Sequence, residues 1–95
     1  MRVVWDDVKN RANIKKHGVS FEEASALFTG AGDYLELFDE AHSTDEDRFI
    51  AIGPVKAGLM LVVYAERDEE TVRLISARWA TKREVALFRE RGGKR

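Results

Sequence analysis

In LMLVVYAERDEETVRLISAR, residues 59–78, two strand-like runs flank a cluster of charge. Leu59 to Ala65 is apolar on both alternating faces, which predicts a central strand covered on both sides. Arg67 to Glu70 interrupts with four charged residues, the mark of a hairpin turn. Thr71 to Arg78 is rich in β-favouring residues and reads as the returning strand. Upstream, Arg48 to Ile52 predicts another strand. GPVKAG, residues 53–58, predicts its turn, because Gly53 and Pro54 punctuate the chain there. Tyr34 to Phe38 alternates weakly and completes a meander of four strands.

The flanks read as helices and one more strand. RVVW, residues 2–5, predicts a short strand, after which Asp6 or Asp7 can cap a helix running to about His17. Gly18 fits the left-handed position that ends it. Ser20 and Glu23 form a capping box for a second helix, with Val19 and Ala24 placed as a hydrophobic staple. Phe21, Ala24, Leu27 and Phe28 give that helix one apolar face, and it ends near Gly30. On the first helix, Val8, Ala12 and the stem of Lys15 lie on one side, an imperfect amphipathic pattern. Lys9, Asn13, Lys16 and His17 cluster on another side, and Ile14 fits neither group. Thr81 and Glu84 form a second capping box for a last helix to about Arg91, stopped by Gly92 and Gly93 before a basic tail. The order β-α-α-β-β-β-β-α predicts an α+β fold: a small antiparallel sheet whose helices cover one face, in a single domain spanning residues 1–95.

Composition narrows the function. Ninety-five residues suffice for one modestly stable domain and leave no room for a regulatory one. The chain has no cysteine, so a disulfide framework and a thiolate metal site are both out of reach. MRVVWDDVK meets acidic residues too soon for a signal-peptide core. The longest apolar run falls far short of the roughly 20 residues that span a bilayer. A cytoplasmic protein without membrane contact is expected. Net charge is −1 but unevenly spread. Residues 31–70 carry three basic and eleven acidic side chains, whereas residues 71–95 carry eight basic and two acidic. A basic face would attract phosphate; solvated charge kept for solubility explains the same numbers.

Familiar cofactor sites are missing. His17 and His42 stand alone, without zinc-ligand spacing. DEAHSTDED, residues 39–47, lacks the glycine and ligand spacing of a calcium loop. No glycine-rich phosphate loop occurs, and the serines have no base arranged beside them. No metal or other cofactor is expected. Trp5 and Trp79 could stack on bases, although packing is the simpler reading.

The cations leave two readings open. Lys15, Lys16 and His17 complement the dipole at a helix C-terminus, or they reach toward a site. Strict alternation places Arg73 with Ile75 and Ala77, and Arg78 with Val72, Leu74 and Ser76. Arg48 shares a face with Ile50 and Ile52. Arginines on such faces need a partner: Glu46, Asp47 or Glu66 within the chain, or a bound phosphate.

Four blocks carry a family likeness: W-D-x-x-K at 5–9, N-x-x-K-H-G-V-x-F-E-E-A at 13–24, H-x-x-x-E-x-R at 42–48 and R-x-I-S-A-R-x-A at 73–80. Together they resemble the BrnT family of bacterial toxins over nearly the whole chain. The resemblance implies a RelE-like fold and a metal-independent endoribonuclease that arrests growth. It implies a partner, a BrnA-like ribbon-helix-helix antitoxin, in a heterotetramer whose DNA contacts belong to the antitoxin. On this footing Arg48, Arg73 and Arg78 are assigned to phosphate binding and charge stabilisation. His17 is nominated as acid or base, with Glu46 or His42 as the second member, Lys16 assisting and Glu66 as a further alternative. Arg73 and Arg78 have opposite strand parity, so both reach one face only if a bulge intervenes. A non-catalytic module binding protein or RNA through the same sheet is the competing reading.

Overall fold

The computed structural model describes residues 1–30, 32–43 and 46–92. Gly93 and the tail Lys94–Arg95 lie outside the described residues, as do Thr44 and Asp45 of the acidic loop. The elements run β1 (Arg2–Val4), α1 (Asp7–His17), α2 (Phe21–Thr29), β2 (Leu35–Phe38), a 3₁₀ turn (Glu40–His42), β3 (Arg48–Val55), β4 (Gly58–Asp68), β5 (Thr71–Trp79) and α3 (Lys82–Leu87), which widens into a last turn over Phe88–Gly92. This is the expected α+β order.

Five strands form one sheet in the order β1-β5-β4-β3-β2. β2 to β5 are the expected antiparallel meander, and β1 departs from it by joining β5 in parallel. β4 is central, and Met60, Leu61 and Val62 are buried, as an apolar run on both faces requires. The GPVKAG segment differs from expectation: Gly53 and Pro54 continue β3, and only Lys56–Ala57 turns. β2 stops pairing at Ile52, so Pro54 has no partner strand on that side and its missing N–H costs nothing there. At Gly53 a Cβ would come within 2.7 Å of Tyr34 Cβ and 2.8 Å of Leu27 Cδ1, so α2 packs on bare backbone.

Each face of the sheet has its own core. On one, Phe21, Ala24, Leu27 and Phe28 of α2 pack on Ala51, Met60, Val62, Tyr64, Val72, Leu74 and Ala77. On the other, Phe88 and Leu87 pack with Leu35, Ile52 and Leu61. The C-terminal helix therefore covers the face opposite α1 and α2, so the helices do not share one face. The physical reason is that the outer faces of β2 and β3 carry Leu35, Leu37, Ile50 and Ile52, which need a lid of their own.

α1 docks by polar contacts. Val8 is 69% exposed, and Ala12 and Lys15 are exposed too, so the side that carries the apolar residues faces solvent. Its buried residues are Asn10 and Asn13. Asn10 accepts from Phe21 N–H at 2.8 Å and donates to Glu22 at 3.0 Å. Asn13 accepts from Ala77 N–H at 3.0 Å and donates to Ala77 C=O at 2.8 Å and Val19 C=O at 3.0 Å. The Asn13 amide thus mimics a strand on the edge of β5 beyond the end of β1.

Candidate active site

Register decides which side chains share a face. The rows Arg48–Ala65–Arg73, Ile50–Val63–Ser76 and Ile52–Leu61–Arg78 run across β3, β4 and β5. A register shift between Val63 and Tyr64 leaves Ile75 as an extra residue in β5. This bulge reverses the alternation, so Val72, Leu74 and Ala77 all enter the helix-side core while Arg73 and Arg78 both emerge on the other face. Arg48 and Arg73 are two strands apart, about 10 Å.

The end of α1 brings an imidazole to the same place. Gly18, at φ 75°, terminates the helix in the left-handed conformation, and its N–H bonds Ile14 C=O. Asn13 is pinned to Ala77, and His17 lies one turn further on the same side of the helix. It therefore reaches round the edge of β5. A cleft of about 370 Å³ results, lined by His17, His42, Asp39, Arg48, Arg78 and Glu84, with Ile50, Leu61, Val63, Ile75 and Ser76 as its remaining walls.

His42 is set by a knot of bonds at the start of β3. Asp39 N–H bonds Arg48 C=O at 2.8 Å, Arg48 N–H bonds Ser43 Oγ at 2.9 Å, and Ser43 Oγ donates to Asp39 C=O at 2.6 Å. His42 Nδ1 lies 3.1 Å from Asp39 Oδ2. An ionised carboxylate only accepts, so Nδ1 carries the proton and Nε2 is left for chemistry. Asp39 was invisible in the sequence; its signal is the spacing D-x-x-H, which a single turn of helix brings into contact.

The three arginines differ in their partners. Arg78 makes a two-pronged pair with Glu84, Nη1 to Oε1 and Nη2 to Oε2, each 2.9 Å. That contact holds the Glu84 carboxyl down to about 2, and the same carboxylate receives Thr81 N–H at the start of α3. Arg73 pairs with Glu46, and neither lines the cleft. Hydrogen bonding from Arg73, with the nearby charges of Arg48 and Lys9, holds Glu46 below the usual carboxylate range. A carboxylate so stabilised is a weak base near neutral pH. Arg48 faces the cleft, and its buried Nε has no hydrogen-bond partner among the described residues.

Besides Arg73 and Glu46, two more nominated residues are not brought here. Lys16 is exposed and does not line the cleft. Glu66 follows Tyr64 by two residues on β4 and so lies on the helix-side face, away from the arginines. There burial, then Glu36, and more weakly Tyr34 and Glu66, push the Tyr64 hydroxyl up, and Tyr64 donates to Glu36. Among the described residues no three His, Asp or Glu side chains converge as metal ligands, and no helix is long and apolar enough to cross a membrane.

Comparison with known proteins follows the same lines. The sequence model described as "Ribonuclease toxin, BrnT, of type II toxin-antitoxin system" matches residues 5–84. The crystal structure of the Brucella abortus ribonuclease toxin, BrnT, superposes with a TM-score of 0.62 at 28% sequence identity, covering 86% of this chain and 99% of that one. No match occurs among curated proteins.

Proposed function

The chain belongs to the BrnT family of ribonuclease toxins of type II toxin-antitoxin systems, and from that premise we propose that it cuts RNA at the His17–His42–Arg48 cleft without a metal ion. An antitoxin partner goes with the family. In this proposal the partner is a BrnA-like ribbon-helix-helix protein, the assembly is a heterotetramer in the cytoplasm, and DNA is touched only through the antitoxin.

The chemistry requires a base, a cationic cradle and an acid. The base takes the proton of the ribose 2′-OH, and O2′ bonds to phosphorus. The bond from phosphorus to O5′ breaks, and the acid gives O5′ its proton. The products are a 2′,3′-cyclic phosphate and a 5′-hydroxyl, so DNA, lacking the 2′-OH, is not a substrate. His17 and His42 are the two histidines that line the cleft, and an imidazole can take a proton at one step and give it at another. Arg48 holds the phosphate and offsets the charge that grows on it. Arg78 stands beside it with Glu84 already bound, and Arg73 with Glu46 supports the flank. The single observation that carries the reading is two imidazoles and, among the described residues, an incompletely partnered arginine in one cleft.

Analysis of RNA ends tests it. The purified chain is expected to produce cyclic-phosphate and 5′-hydroxyl termini in the presence of EDTA. His17→Ala is expected to lower the rate by about 10²- to 10⁴-fold while melting like the parent. Parental rates in that variant would remove His17 from the mechanism. The carboxylates already on Arg73 and Arg78 favour a second reading, a binding module without chemistry. RNA that is bound but gains no new termini would establish it.

A further inference from the structure

Beyond the cleft, the end of the sheet carries a groove that the cleavage chemistry does not use. It runs between the β3–β4 turn and α3, with a volume of about 700 Å³. Its floor is apolar: Val55, Leu59, Trp79, Ala80 and Val85. Lys56 and Arg89 flank it, and it continues along α3 past Lys82 and Glu90. Trp79 is 39% exposed, an unusual state for an indole. Gly58 lies beside the ring: a Cβ added there would be in ordinary contact, 3.6 Å from Trp79 Cζ3.

The groove adjoins the cleft through covalent neighbours. Trp79 follows Arg78, and Arg78 Nη1 also donates to Trp79 C=O at 3.2 Å. Ala80 and Thr81 then lead into the helix that carries Glu84. By the register, Trp79 lies opposite Met60 on the helix side and Arg78 opposite Leu61 on the cleft side, so a strand bound at Arg78 reaches the indole by turning round the end of β5. The groove's ionic lining is Lys56, Lys82 and Arg89 against Glu90, a cationic excess in a chain whose total charge is negative.

An exposed ring with a cationic rim, round the sheet's end from a site for a phosphodiester, matches the way single-stranded nucleic acid is held: bases stack on aromatic faces and phosphates follow the cations. We propose that this groove is a subsite for a nucleotide flanking the cut in single-stranded RNA, its base stacked on Trp79 and its phosphate held by Lys56 and Arg89. The subsite rests on the ribonuclease reading of the cleft. It would set how many nucleotides the enzyme grips, with little demand on their identity, since every base has a stacking face.

Indole emission tests it directly. In a Trp5→Phe chain the remaining tryptophan is Trp79. Titration with an uncleavable 2′-O-methyl hexanucleotide is expected to quench its emission saturably, while anisotropy of a labelled copy reports binding independently. Trp79→Ala is expected to weaken binding and raise KM for RNA cleavage, each about tenfold, and Trp79→Phe to restore most of both. Should Trp79→Ala misfold, Lys56→Gln with Arg89→Gln serves instead and should flatten the slope of log affinity against log salt by about 1.4. Binding by anisotropy with no change in Trp79 emission overturns the subsite, and if cyclic-phosphate ends still form, the nuclease reading stands without it. Emission that answers only to added antitoxin overturns it in favour of a protein-docking surface. Absence of oligonucleotide binding overturns both readings.

Discussion

Asn13 shows how much one buried amide decides. Its side chain satisfies both backbone groups of Ala77 and the carbonyl of Val19, groups that α1 itself screens from water. Truncation to alanine strands them, at about 1–3 kcal/mol for each buried group left without a partner. Asn13→Ala is therefore expected to cost about 3 kcal/mol or more, seen as a fall in melting temperature of about 12 °C or more, since each kcal/mol is worth about 4–8 °C in a domain this small. Val8→Ser on the same helix should stay within about 0.5 kcal/mol, because Val8 is already in water. A reversed order of the two effects in thermal melts would mean that α1 docks by its apolar residues. This is also where the sequence was least legible. Helical periodicity assigns the inward side from apolar residues, and α1 reverses that rule. The asparagines could have been suspected only from their pairing partner, the open edge of β5, which exists only after folding.

At the level of elements, local punctuation was readable and strand register was not. The caps at Asp6, Ser20 and Thr81 are all present with their bonds, because each depends on residues two or three apart. The bulge at Ile75 depends on how β5 pairs with β4, so RLISAR alone gave two arginines of opposite parity and only the paired strand puts them together. The capping box of α3 has a second task that local reading missed, since Glu84 also clamps Arg78. This ties helix stability to acid. Glu84 falls from an ordinary 4.5 to about 2 in the folded chain. A depressed carboxylate contributes stability that is fully present above about pH 4.5 and is lost as pH falls through about 2. Arg78 is 37% exposed, so water screens the pair and the contribution is on the order of 1 kcal/mol rather than the full value of the shift. Glu84→Gln should thus be less stable than the parent at pH 7, and the gap should close between about pH 4.5 and 2. Denaturant midpoints measured across that range check it; a gap that is constant with pH would show that the charge of Glu84 contributes nothing.

Across the whole molecule, charge is separated along the strands. β3 starts at Arg48 opposite Ala65, near the end of β4, so the acidic loop around Glu46 and Asp47 lies beside the hairpin tip of Asp68, Glu69 and Glu70. The other end holds Lys56 in the β3–β4 turn and the cations of α3. The molecule is 34 Å long, several times the ~8 Å screening length at physiological salt, so the two ends do not neutralise each other. The imbalance between segments was plain in the sequence, but composition could not say whether folding would pair the segments or part them. An acidic sequence pI of about 6.1 is consequently compatible with RNA binding, because on the proposed reading RNA would meet the cationic end and the cleft rather than the average. The hairpin tip should act on RNA only through its long-range field. Glu69→Gln with Glu70→Gln, both exposed, is expected to raise the association rate of a 2′-O-methyl oligonucleotide by no more than about threefold at 20 mM salt. The gain should vanish by 1 M, where the screening length is about 3 Å, and dissociation should be unchanged throughout. Stopped-flow binding over that salt range separates the cases: a change in dissociation that survives 1 M salt would mean that the tip touches the RNA, and the path of the strand over the molecule would then run to the acidic end.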